Sequence, residues 1–496
     1  MTPYEALESH FKKIADLKHI SSIMSWDESA MMPSGGGPAR QRAMGTLSAQ
    51  IHDLATTGDI AMWLEGCAGL NLTPWQQANV GAIQRDYNRA QCLSSAFVRE
   101  QTEAVMASEQ QWRTCRAKND WPSMLPALKK VVELTRTESK LRADNTGLSP
   151  YDAMLDLYEP GMRSARLDKL FAPIKARLPS LIDQIIKHQE TRPLLPLGDD
   201  FEIDAQRSLG LNVMRVMGFD FDHGRLDTSH HPFCGGVPED VRLTTRYDRK
   251  DFLTSLFAVI HETGHAMYEQ GRPKQWLSQP VSEALSMGTH ESQSLLMEMQ
   301  ACRSRDFINF SAPMMAKAFG RPTHDPAWSA ENLHHHVTQV KRGLIRVDAD
   351  EATYPLHVIL RYELEKGLLE NEFEVEDLPT AWNEKMNQYL GLSTTGDYNN
   401  GVLQDVHWPA GLIGYFPTYT LGAMMAAQLF SSAKKTIPEL SAQLQCGDFS
   451  ALVSWLRKHV HRLGRSVGAD ELLKQATGEV LTPDAFLAHL QQRYLP

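Results

Sequence analysis

The sequence predicts a mainly α-helical fold with one small β-sheet, and three observations carry the prediction. Apolar residues recur at intervals of three and four over long stretches, a single interval reads as strand, and nothing reads as a linker. In chain order, MLPALKKVVELTRTESKLRADN (residues 124–145), LDKLFAPIKARLPSLIDQIIKHQE (167–190), LHVILRYELEKGLLE (356–370) and DLPTAWNEKMNQYLGL (377–392) each place an apolar stripe on one helical face. The exception is SHHPFCGGVPEDVRLTTRY, from Ser229 to Tyr247, where turn formers precede VRLTTRY, a β-branched run suited to a short strand. Glycine and proline clusters at MMPSGGGPAR and YEPGM punctuate helices but are too short to separate domains, and no repeat recurs at a fixed period. Although 496 residues could form two or three domains, the expectation is one domain over residues 1–496, with two helical lobes around a cleft.

The next element carries the chemistry. DFLTSLFAVI, without glycine or proline, leads into HETGHAMYEQG, whose Gly271 suits a helix C-cap, and the pattern predicts a helix over residues 251–270. On a helix turning about 100° per residue, positions i and i+4 lie about 40° apart and one turn along the axis. His261 and His265 therefore project from one face. Two neutral imidazoles held in this way can fill two corners of a tetrahedral zinc shell, and Glu262, rotated to the flank, can reach a water activated there.

Composition narrows the function classes. A formal net charge of -10, with 60 acidic and 50 basic residues, argues against nucleic-acid and acidic-membrane partners. Six cysteines (Cys67, Cys92, Cys115, Cys234, Cys302, Cys446) lie scattered without CxxC pairs, so reduced thiols in a cytoplasmic protein are expected. The amino-terminal MTPYEALESHFKKIADLKHI is amphipathic, carries acids and lacks the apolar core of a secretory signal. No run of about 18 consecutive apolar residues occurs, and the mean hydropathy is -0.35, so no membrane span is expected.

A catalytic zinc commonly takes three protein ligands and leaves a position open for water. Glu269 continues the face of His261 and His265, but eight residues along a helix place it about 12 Å from His261, too far to share one ion. The metzincin pattern needs a histidine where Gly271 stands. A second helix crossing the first remains, and PVSEALSMGTHESQSLLMEMQACRSRDF offers Glu283, His290, Glu291 and Glu298. Periodicity does not choose among them.

HETGH, followed about 25 residues later by HESQS, resembles the carboxypeptidase Taq family of metallocarboxypeptidases. HPF (His231–Phe233), DVRLT (Asp240–Thr244), IRVDAD (Ile345–Asp350) and GVLQDVHW (Gly401–Trp408) match the same family in the same order, as do SWDESAMMPSGG and SPYDAMLDLYEPG nearer the amino terminus. The likeness covers nearly the whole chain. It implies a helical fold like that of neurolysin and angiotensin-converting enzyme, with a long active-site groove, and a homodimer. It also implies Glu291 as the third metal ligand, with His290 a neighbour.

Glu262 would then act as general base on the water. His407 and a tyrosine, Tyr419 first and Tyr415 second, match groups that steady the oxyanion in related helical metallopeptidases. An enzyme acting at a free carboxyl end needs a cation for it, and a guanidinium fork meets both oxygens. Arg346 is favoured and Arg242 is second, each with the alternative of pairing an aspartate such as Asp240 or Asp350; His231 is expected to line the same cleft. One divalent ion per chain is expected, zinc first, with cobalt or manganese compatible with two imidazoles and a carboxylate. The reading is a carboxypeptidase of broad specificity acting on peptide substrates. An endo-acting oligopeptidase, and a non-catalytic binding protein with a relic site, are the alternatives.

Two other features are discounted. The His334–His336 triple points three ways around a helix and reads as a solvated face. The Gly35–Gly37 run lacks the Lys-Ser/Thr of a phosphate loop and reads as a flexible turn.

Overall fold

The periodic segments become helices in a computed structural model that describes every residue except 230, 231 and 323. Among the described residues there are twenty α-helices and one three-stranded sheet. The four segments singled out above lie in helices Trp121–Thr146, Ser164–Gln189, Tyr354–Leu369 and Leu378–Leu390. Ser164–Gln189 continues through Pro173 and Pro179. An internal proline removes a hydrogen bond and costs about 3 kcal/mol, and here the buried stripe of Leu167, Leu170, Phe171, Ile174, Leu178, Ile182 and Ile185 offsets that cost.

The HExxH helix spans Phe252–Gly271, with Asp251 as N-cap accepting from the Leu253 and Thr254 amides. Its end differs from the expectation. Gly271 is the last helical residue, Arg272 is the C-cap, and a Cβ at 271 would lie 2.4 Å from Nδ1 of His461. The glycine is there for close packing.

The sheet has the order β1-β3-β2, with β1 (Gly224–Thr228) parallel to β3 (Asp240–Thr245) and β2 (Phe233–Val237) antiparallel to it. Within the interval from Ser229 to Tyr247, the VRLTTRY run supplies β3, whereas β2 forms in the turn-former stretch before it, FCGGV, which carries no strand pattern in the sequence. β1 lies upstream of that interval and was not read, because HGRLDT mixes turn formers and charges and buries only Leu226. Inward-facing Val241 and Leu243 of β3 pack with Val259 and Ala266 of the HExxH helix, which seats the sheet on that helix. Phe233 and Cys234 of β2 thereby reach the wall of the main cavity.

One large apolar cluster extends from Trp112 to Tyr494, and a smaller one joins Tyr4, Leu7, Phe11, Ile14 and their neighbours through Tyr87. The His334–His336 triple departs from the solvated reading. His334 is buried and His336 Nε2 lies 2.8 Å from the Leu195 carbonyl, because the short helix Ala330–Val337 packs into the core through Leu333 and Val337. All six cysteines are free thiols. Among the described residues, no helix is long and apolar enough to cross a membrane.

The carboxy-terminal helix Asp484–Tyr494 is fastened through buried Glu351. That carboxylate lies 2.6 Å from His489 Nε2 and accepts from Arg493 Nη1 at 3.0 Å and the Tyr494 hydroxyl at 3.1 Å. Burial opposes its charge, but His489 and Arg493 hold its pKa down to about 2. Glu351→Gln should destabilise the protein by about 3–5 kcal/mol, since it leaves the Arg493 cation buried without its counter-charge. A depressed carboxyl pKa contributes stability above its unfolded value, near 4.5, and loses it as pH falls from there toward about 2. Denaturant unfolding at several pH values should show a shallower acid dependence in the variant over that window.

Candidate metal centre

The second helix of the site, Met287–Leu295, starts at Ser286, whose hydroxyl accepts from the Thr289 amide. Glu159 braces the same end, accepting from Ser286 Oγ at 2.8 Å and the Gly288 amide at 3.0 Å, where a helix N-terminus favours an acid. This helix crosses the HExxH helix antiparallel. Glu298 meets His261, Glu291 meets both His261 and His265, and His290 meets His265 and Glu269.

Two glycines permit close packing here, one at the crossing and one on a third helix laid against Glu291. A Cβ on Gly264 would lie 2.6 Å from the Gln293 carbonyl oxygen and 2.6 Å from Ser294 Cα. One on Gly422, in helix Pro417–Thr436, would lie 2.8 Å from both Cβ and Cγ of Glu291. The glycine of HETGH, Gly264, thus has a physical role.

One ring nitrogen from each of His261 and His265 and an oxygen of Glu291 lie within 4.8 Å of one another, and on both rings Nε2 faces Glu291. Glu291 Oε2 is 3.9 Å from the first nitrogen and 3.4 Å from the second. Two imidazole nitrogens and a carboxylate are a fitting donor set for one divalent ion. Of the four candidates left open by periodicity, Glu291 reaches both Nε2 atoms. Glu298 and His290 meet the opposite ring nitrogens, and Glu283 turns away to Lys18 and Arg465.

Glu298 Oε2 is 2.9 Å from His261 Nδ1, and its other oxygen accepts from Arg303 at 2.7 Å. Glu298 lies in the π-helical turn Leu296–Cys302, seven residues after Glu291. Such spacing is nearly two α-helical turns, and π turns concentrate at functional sites. That spacing was the sequence signal for its position.

The centre opens on a cavity of about 1110 Å³, large enough for several peptide residues. Its wall includes Glu262, Arg346, His407, Tyr415 and Tyr419 beside the three donors. Burial pushes the Glu262 carboxyl up to about 7, against the pull of His261. His407 Nε2 lies 3.2 Å from the Tyr419 hydroxyl, and the Tyr415 and Tyr419 rings meet edge-on at 5.4 Å. Burial raises both phenols above their usual range, so they remain hydroxyl donors at neutral pH.

The arginines are already engaged. Arg346 grips Asp405 with Nε at 3.0 Å and Nη2 at 2.8 Å, and its Nη1 donates to the Tyr354 hydroxyl at 2.6 Å. Arg242 grips Asp240 at 3.0 and 2.8 Å, stacks over Trp26 at 4.4 Å, and is absent from the cavity wall. Asp350 instead accepts from the Lys341, Ala352 and Thr353 amides. Asp405 and Tyr354 were not singled out in the sequence, since their role depends on a contact with Arg346 that no local pattern encodes. His231 lies outside the described residues.

The carboxypeptidase Taq (M32) metallopeptidase family profile matches residues 6–494. The chain belongs to that family. Thermostable carboxypeptidase 1 of Thermus thermophilus is 37% identical over 509 aligned positions, covering 100% of this chain and 99% of that protein. Among solved structures, Trypanosoma cruzi metallocarboxypeptidase 1 superposes with a TM-score of 0.96 at 43% identity over 99% of each chain. The M32 carboxypeptidase of Deinococcus radiodurans gives 0.94 at 34% identity, over 99% of this chain and 98% of that one. Membership in the M32 family makes this chain a metallocarboxypeptidase, a divalent-metal peptide hydrolase acting on peptide substrates.

Proposed function

We propose that this metallocarboxypeptidase releases single residues from peptide carboxyl ends with broad specificity, holding its ion through His261, His265 and Glu291 and using Glu262 as general base. The observation that carries the proposal is the convergence of two imidazole nitrogens and a carboxylate within 4.8 Å, on the wall of a large cavity and beside a buried glutamate. Zinc is the ion proposed, and the donor set also accepts cobalt or manganese. A divalent ion held there supplies Lewis-acid polarisation of the scissile carbonyl and makes water acidic enough to attack near neutral pH.

The protein's own groups do the rest. Glu262, raised to about 7 by burial, can accept the attacking water's proton and return it to the leaving amine. Tyr419, or Tyr415 beside it, donates to the tetrahedral oxyanion, and His407, 3.2 Å from the Tyr419 hydroxyl, orients that donor. Arg346 is the favoured partner of the substrate's terminal carboxylate. Asp405 fixes the guanidinium through Nε and Nη2, leaving the Nη1 edge shared with Tyr354 for the incoming anion. Arg242, closed by Asp240 and absent from the cavity wall, is the weaker choice, and His231 is a further candidate for lining the cleft on the family likeness alone. The whole chain is read as one domain of two helical lobes around this cavity, working as a cytoplasmic homodimer.

One peptide prepared with a free and with an amidated carboxyl end tests the exopeptidase reading. Amidation should reduce cleavage by at least about 100-fold, because a carboxylate–guanidinium contact and its charge are lost together. Equal cleavage of both forms would support the endo-acting oligopeptidase instead.

A further inference from the structure

We propose that His290 is a positioning residue that keeps the His265 proton on Nδ1, reserving the Nε2 lone pair for the divalent ion. The inference rests on the metal-binding reading above and goes beyond the ligand set itself.

His290 Nδ1 and His265 Nδ1 face each other at 2.6 Å. A neutral imidazole carries one N–H and one lone pair, so across that gap one ring donates and the other accepts. The far side of His290 decides which. Its Nε2 is 3.0 Å from Glu269 Oε1, and Glu269 is held by Arg272 at 2.6 Å. The carboxylate is a pure acceptor, so the His290 proton sits on Nε2 and its Nδ1 is an acceptor. His265 must then donate from Nδ1. Its bare Nε2 points toward Glu291 Oε2, 3.4 Å away, and two lone-pair groups so placed invite a cation.

The other tautomer, with the His290 proton on Nδ1, would turn an Nε2 lone pair toward the Glu269 carboxylate and force the His265 proton onto Nε2, where it blocks coordination. Ligation and an accepting His290 therefore go together. The ring is also clamped in place, with centroids 4.5 Å from His265 and 5.3 Å from Tyr268. Glu269, too far along the helix to be a ligand, acts at one remove through His290. Helix Met287–Leu295 thus supplies the third ligand, Glu291, and in the preceding residue the group that orients the second.

The test compares wild type, His290→Phe and His290→Asn for Co²⁺ and Zn²⁺ affinity, by competition with a chromophoric chelator, and for the visible spectrum of the Co²⁺ form. Asparagine Oδ1 can replace the accepting Nδ1, whereas phenylalanine keeps the bulk and accepts nothing. His290→Phe should bind either ion about 10–100-fold more weakly, with an altered Co²⁺ spectrum. His290→Asn should return to within about threefold of wild type, a rescue that a merely structural role would not give. Should the phenylalanine variant fail to fold by circular dichroism, His290→Leu takes its place. Phe or Leu variants that bind as tightly as wild type, or an asparagine variant as weak as they are, overturn the proposal while leaving the metal centre standing. Wild-type protein that takes up no stoichiometric ion overturns the metal-binding reading and this inference with it.

Discussion

Glu262→Gln should lower kcat/KM on a blocked peptide with a free carboxyl end by ~10²–10⁴-fold while leaving one divalent ion per chain. The substitution is isosteric and removes only the capacity to take a proton. Glu262 is not among the three converging donors, so metal stoichiometry measured on the purified variant should match wild type. The position is buried, and the raised carboxyl pKa shows that the charged form is costly there, so the neutral amide should not weaken the fold. Loss of activity with retained metal is the signature of a missing base. Undiminished hydrolysis by the variant would remove Glu262 from the mechanism.

Glu291→Ala should have a comparably large effect by another route. It removes one of three donors and leaves two imidazoles on a single helical face. Protein zinc sites of about 10–16 kcal/mol draw on few ligands, so one ligand's share corresponds to a loss on the order of 10²–10³-fold in affinity. Affinity measured by competition with a chelator should fall by that factor, and activity should fall with it when free ion is limiting, recovering only in part at high metal concentration. Chelation should silence the wild type, and add-back of zinc, cobalt or manganese should restore it. A variant that retains stoichiometric metal after dialysis would mean that another carboxylate completes the shell, and Glu298 would be the first to examine.

What the sequence disclosed of this molecule was mostly what periodicity and short spacings encode. The i, i+4 histidines, the helix around them and the strand before it are local facts, and the structure has all three. The third donor required two distant segments to cross, so pattern alone left four candidates and family likeness singled out Glu291. The arginines show the limit most plainly. Nothing near IRVDAD signals that Arg346 is already gripped by Asp405, 59 residues on. Gly271 likewise reads as a terminator in the sequence, whereas its missing side chain makes room for His461.

The glycine contacts at the helix crossing have a consequence for which ion the protein can use. Main chain touches main chain at Gly264, so the backbone positions that carry the donor side chains are set by a stiff frame. Ions of different radius are then accommodated by small rotations of the three side chains, not by movement of the helices. Exchanging the metal should therefore leave the helices where they are and express itself in the acidity of the water and the turnover number.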